Sequence, residues 1–231
     1  MKELSKDLQK LLKKAQSKDE NDRYYAVIEI ADLAEREAIQ PLLSMTDDPS
    51  DDVKLVVAST LGFLGERFKD NTPVSALVAM LRKAGDNTDL KYRIIESLGM
   101  IGDPEVGRLL SEEIENESSN SEILKEIIKA IGKVKYKPAS ERILKYLDHD
   151  EELVRKATAF ALGETGDSSI ISALFKAADD VSSEVAGNAI IAIGKIGDKS
   201  CLEKLFGMLE QEPRLPASLE AAIRDAIEMI K

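Results

Sequence analysis

One histidine, one cysteine, two acidic turns and a recurring pair of glycines hold most of the chemistry this sequence could offer. His149 lies in Asp148-His149-Asp150-Glu151-Glu152, carboxylates plus an imidazole that could together hold a cation. A second acidic run, Asp47-Asp48-Pro49-Ser50-Asp51-Asp52, occupies an equivalent turn. Acids that recur at turns also serve to cap the next helix and answer the positive end of its dipole, and capping is the expectation. A single histidine excludes two-histidine chemistry within the chain, and one His with one Cys cannot close a structural zinc site. Cys201 reads either as a reactive thiol or as a small residue near a helix start. Lys199 and Lys204 beside it are ordinary surface charges, which favours the second reading. The repeated Leu-Gly-x-x-Gly would suit a phosphate only at a helix N-terminus, where backbone N–H groups are free. Here Gly163 and Gly166 fall at the end of a helix, where the dipole is negative. No catalytic residue, metal or cofactor is therefore expected.

The elements that carry these residues repeat. Leu61-Gly62-Phe63-Leu64-Gly65, Leu98-Gly99-Met100-Ile101-Gly102, Leu162-Gly163-Glu164-Thr165-Gly166 and Ile193-Gly194-Lys195-Ile196-Gly197 are copies of one signature, with Ile131-Gly132 as a weaker one. From Gly132 to Gly163 to Gly194 the step is 31 residues each time, a period that marks a repeat solenoid. Val154, Ala157, Ala161, Leu162 and Thr165 form an i, i+3, i+4, i+7 stripe, and Ile171, Leu174 and Phe175 form a second. Two short helices thus make each unit. Gly166-Asp167 and Gly197-Asp198 pair a helix stop with an N-cap, and Asp103-Pro104 does so with Pro at the first helical position. The expectation is an all-α chain, an alpha-alpha superhelix of about seven helix pairs, near 4–35, 38–67, 73–102, 104–135, 138–166, 168–197 and 199–231. The whole of 1–231 reads as a single repeat domain. Gly62 to Gly99 is longer, with four extra residues near 67–72 and two near 85–88, both expected in loops. The end units depart from the pattern: Ala31 and Ala34 stand at the first unit's glycine positions and Asp22 at its valine position, while Glu228 replaces the last glycine. Such departures suit units with an uncovered face.

Composition narrows the partners. A net charge of −11 opposes the counterion release on which nucleic-acid affinity depends, and it disfavours anionic membrane surfaces. The amphipathic start through Leu4, Leu8, Leu11 and Leu12 lacks the apolar core of a signal peptide, and no apolar run reaches the roughly 20 residues of a membrane span. A monomer in the cytoplasm is the expectation, consistent with one cysteine and no internal disulfide.

Val154-Arg155 with Ala157, Ala159, Ala161, Leu162, Gly163, Gly166 and Asp167 resembles the unit of short HEAT-like repeats of the phycobilisome lyase type, and Val53-Lys54 and Leu90-Lys91 match it with a Lys. The resemblance covers essentially the whole chain and implies a HEAT-like solenoid. It is specific for fold rather than function. Iron-dependent hydroxylases of this repeat use paired His-Glu motifs, which are missing here, and HEAT-like DNA glycosylases present a basic, aromatic-rich face that an acidic chain without Trp does not offer. The resemblance leaves two functions: a non-catalytic protein-binding scaffold or adaptor, and a bilin lyase-like or chromophore-handling protein.

In this repeat class the second helix of each unit lines the concave surface. Positions seven before, three before and one after the glycine share one helical face. In the first three units it reads Tyr24, Ile28, Asp32; Leu55, Ser59, Phe63; and Tyr92, Glu96, Met100. Large apolar side chains at such positions mark either a partner site or, if the face is rotated by one residue, core. In the fourth unit the face becomes Lys125, Lys129 and Lys133, extended by Lys156. This column is either solvated or, beside the apolar contacts, suited to a protein or peptide partner such as an acidic amphipathic helix.

Overall fold

The computed structural model describes residues 4–116, 120–210 and 215–231. The stretches 117–119 and 211–214, inside the fourth and seventh expected pairs, and residues 1–3 before the amphipathic start lie outside it. Among the described residues there are fourteen α-helices and no strand: α1 (Lys6–Lys14), α2 (Glu20–Leu33), α3 (Ile39–Leu43), α4 (Asp51–Phe68), α5 (Pro73–Lys83), α6 (Thr88–Ile101), α7 (Pro104–Glu113), α8 (Ser121–Lys133), α9 (Ser140–Leu144), α10 (Glu152–Thr165), α11 (Ile171–Ala177), α12 (Ser183–Ile196), α13 (Leu202–Leu209) and α14 (Ala217–Ile230). They are the seven pairs of an alpha-alpha solenoid, short first helix followed by longer second helix.

Local chemistry explains the boundaries. Ser5, Asp19, Ser50, Asn87, Asn120 and Ser182 each accept a hydrogen bond from backbone N–H groups of the helix they precede, satisfying donors a helix start leaves free. Asp167 and Asp198 do the same for the single 3₁₀ turns at 168–170 and 199–201 that lead into α11 and α13. Gly102 and Gly166 end α6 and α10 with φ of 72° and 73°, the left-handed conformation glycine adopts without a Cβ penalty.

The chain divides into two compact units, 1–106 and 107–231, with the boundary inside α7. In the first, α2 packs on α4 and α4 on α6, while α1, α3 and α5 each pack on a second helix. In the second, α8, α10, α12 and α14 form the corresponding row, with α9, α11 and α13 packed beside it. Leu61, Leu98, Ile131, Leu162 and Ile193, equivalent in the repeat, are all fully buried, each contributing roughly 1.5–3 kcal/mol of transfer free energy. The glycines set the spacing of the rows. A Cβ added to Gly132 would lie 2.9 Å from Cβ of Ala161, at Gly163 2.8 Å from Cβ of Ala192, at Gly194 2.9 Å from Cβ of Ala226, and at Gly62 2.5 Å from Cβ of Ser97. Each small partner stands two residues before the next unit's glycine position, so successive second helices approach backbone to backbone.

Three expectations need correction. The four extra residues after Gly65 do not form a loop: α4 runs 18 residues to Phe68, whereas α2, α6, α10, α12 and α14 have 14 each. Four residues add about one turn and leave the phase of the buried stripe unchanged, and the helix ends at Lys69, left-handed at φ 52°. The two extra residues near Gly85 do lie in a turn. Gly197 ends α12 in an extended conformation rather than a left-handed one, and Ile171 is only half-buried because the 3₁₀ turn before α11 rotates it off the core face.

Candidate functional site

The acidic turns do not cap in the way their composition suggests. Ser50, not an Asp, caps α4, and Asp48 is taken by Arg23, whose Nε and Nη2 donate to Oδ2 and Oδ1 at 2.7 and 2.9 Å while Nη1 donates to the Ser17 and Lys18 carbonyls. In the second unit Arg155 repeats every element: Nε and Nη2 donate to Asp180 at 2.8 and 3.0 Å, and Nη1 donates to the carbonyls of His149 and Asp150. Asp48 and Asp180 also accept from the backbone N–H of Ser50 and Ser182, whose hydroxyls donate to Glu20 and Glu152. Planar, bidentate pairs of this kind join one second helix to the turn before the next. Burial raises the Asp48 carboxyl, but the Arg23 guanidinium and the Ser50 amide outweigh it and hold the group below the usual carboxylate range. The Arg155 guanidinium does the same for Asp180. His149, offered above as a cation ligand, instead accepts the Glu151 N–H on Nδ1 at 3.0 Å. Among the described residues no group of three or more His, Cys, Asp or Glu could hold a metal ion, and Cys201 is buried.

The face defined by offsets from the glycine is accessible in the first unit. Tyr24 and Ile28 lie on α2, Leu55 and Phe63 on α4, and Tyr92 and Met100 on α6. Ile28 is 36% and Tyr92 38% exposed, and Tyr24, Leu55, Phe63 and Met100 are half-buried. Their helix neighbours Val27, Ile30, Val57, Leu61, Ile94 and Leu98 carry the core. Tyr25, 55% exposed, stands edge-on to Tyr24 at 5.3 Å between ring centroids. It lies outside the offset rule, and no pattern in the sequence singles it out.

In the second unit Lys125 and Lys129 on α8 are half-buried and Lys133 is exposed. Lys129 pairs with Glu126 at 3.0 Å and Lys125 with the same carboxylate at 3.6 Å. These two lysines, with Leu153, Lys156, Ala157 and Phe160 of α10 and Asn188 of α12, line a groove of about 400 Å³. Leu153 is 56% and Phe160 36% exposed. Lys195 lies 5.6 Å from the centre of the Phe160 ring and pairs with Glu164, and Lys156 pairs with Glu184. The offsets that select Lys125, Lys129 and Lys133 from Gly132 select Lys156, Phe160 and Glu164 from Gly163, so the repeat itself marks Phe160. It does not mark Leu153 or Asn188.

The model of HEAT repeats matches residues 8–87 and 140–224. Among curated protein sequences none is significantly similar to this chain. Of solved structures, the complex of CpcE and CpcF of phycocyanin lyase from Nostoc sp. PCC7120 is similar over 100% of this chain and 96% of that one, at 19% identity and a TM-score of 0.56. YibA of E. coli is similar over 96% of this chain and 81% of its own, at 18% identity and a TM-score of 0.65. Likeness at these identities speaks for fold alone. The matched repeats cover most of the chain and agree with its glycine-spaced rows of second helices: the chain belongs to the HEAT repeat family.

Proposed function

We propose that the chain is a non-catalytic scaffold or adaptor that binds a protein or peptide through the accessible face of its second helices. One observation carries this: Tyr24, Ile28, Leu55, Phe63, Tyr92 and Met100 fall on the three offsets of one helical face in three consecutive repeats and are exposed or half-buried beside fully buried neighbours. Tyr and Met are residues interfaces favour. In the second unit Lys125, Lys129 and Lys133 form a basic column of their own, suited to acidic partners. The net charge of −11 supports a partner that is neither nucleic acid nor anionic membrane, and we read the protein as a cytoplasmic monomer without cofactor. Affinity capture from native lysate followed by mass spectrometry tests the reading, with Phe63→Ala/Tyr92→Ala as control. A partner retained by the natural chain and lost by the double variant is expected; identical captures contradict it.

Chromophore handling, as in the lyases that the repeat unit resembles, is the second reading. Binding or transfer of a tetrapyrrole by the purified protein would replace the first reading with this one. We further propose that 1–231 acts as a single domain, so thermal unfolding should follow one cooperative transition; two resolved transitions would divide it.

A further inference from the structure

We propose that the groove across α8, α10 and α12 is a self-contained docking site for an acidic amphipathic helix of another protein, with Phe160 and Leu153 as its apolar floor and Lys125, Lys129 and Lys156 as its charged rim. This rests on the scaffold reading and adds a second site, with its own ligand chemistry, inside the second unit.

The argument is charge complementarity joined to apolar exposure. A chain of net charge −11 should present carboxylates on an average patch of surface, yet three lysines converge on this groove. Glu126, the carboxylate nearest two of them, is buried and shared between Lys125 and Lys129, so the lysines dominate what an approaching ligand meets. Lys156 is tied to an exposed partner, Glu184, and exposed pairs exchange at little cost. Charge alone would fit any anion. Leu153 and Phe160, both partly exposed between the lysines, require apolar groups flanked by acids. A helix with leucines at i, i+3 and i+7 and carboxylates beside them provides both, the arrangement by which amphipathic helices occupy grooves.

The probe is a fluorescein-labelled synthetic peptide of about 16 residues, about 24 Å as a helix, with Leu at helical spacing and Glu and Ala elsewhere. Its controls are a scramble of the same composition and a version with Lys for Glu. Anisotropy titrations should show saturable binding, weakened at least about ten-fold by either control peptide, by Phe160→Ala, and by Lys125→Glu/Lys129→Glu. Leu153→Asp, at a more exposed position, gives the same readout should Phe160→Ala lower the thermal midpoint. Phe63→Ala/Tyr92→Ala, in the other unit, should leave the peptide affinity within about two-fold, the scale of uncoupled sites. No binding, equal binding of the scramble, or loss only with the Phe63/Tyr92 variant would overturn the proposal. So would preferential binding to phosphatidylserine vesicles or single-stranded oligonucleotide, or a dimer of this chain that Phe160→Ala dissolves. Failure of the peptide with intact partner capture would remove this site alone, whereas failed capture with peptide binding would remove the first unit's site alone.

Discussion

At the scale of single residues, two glycines in neighbouring helices should respond to the same substitution with opposite signs. Gly163 lies in α10 with Cα and Cβ of Ala192 only 2.9 and 2.8 Å from where its own Cβ would be. Gly187 lies inside α12 with nothing closer than Leu219 Cδ2 at 3.7 Å. Helix propensity favours Ala at both by roughly 1 kcal/mol. Gly163→Ala should nonetheless destabilise by about 1–3 kcal/mol, because backbone must move to admit the methyl, while Gly187→Ala should stabilise by about 0.5–1 kcal/mol. Chemical denaturation of the two variants checks both signs. The Arg155–Asp180 pair gives a pH prediction. A carboxyl lowered in the folded state stabilises fully above its unfolded value, near 3.9, and that stability is lost as pH falls through the folded value. Asp180→Asn should cost about 1–3 kcal/mol at pH 7 and flatten the decline of the thermal midpoint below about pH 4; a parallel decline in both proteins would contradict this. The role of Arg155 could not be read from the repeat unit alone, since its partner lies 25 residues away and the matching Arg23 follows an Asp where the pattern has Val. The Arg-to-Asp spacing is the same in both clamps, the signal that would have found it.

At the scale of elements, burial carried by the repeated stripe makes Leu162→Ala costly, roughly 2–5 kcal/mol, since the residue is fully buried in α10 and leaves a cavity. An unchanged denaturation midpoint would contradict the packing. Ala34, which closes α2 in the left-handed conformation at φ 50°, should gain from Gly. Ala34→Gly is expected to raise stability by roughly 0.5–1 kcal/mol, measured the same way. The stripe and the helix stops were readable because periodicity and Gly-Asp pairs act locally. The fate of the residues after Gly65 was not, because a four-residue insertion is compatible with a loop or with one more helical turn. Packing decided the matter: a Cβ at Gly65 would meet the Ile101 side chain at 2.8 Å, so this glycine serves a close contact within α4 rather than a stop.

At the scale of the whole molecule, the repeat was visible in the sequence because each unit contacts mainly its neighbours and leaves the same mark at the same offset. The candidate face was proposed for the same reason: Ile28 and Tyr92 on it are exposed and Tyr24, Leu55, Phe63 and Met100 half-buried, beside fully buried neighbours. What a partner contributes leaves no period, so its chemistry had to come from exposure and charge. Reversing Lys125, Lys129 and Lys133 to Glu should mainly slow association with an acidic partner and reduce its salt dependence, because charges at the rim of an interface steer more than they hold. The central claim, that the first unit's apolar face holds a protein, is tested most directly by titrating the captured partner against the natural chain and against Phe63→Ala/Tyr92→Ala while recording the thermal midpoint of each. Affinity weakened by about 2 kcal/mol or more with a nearly unchanged midpoint is the predicted result. A lowered midpoint with unchanged affinity would show that these side chains hold the fold and that the partner binds elsewhere.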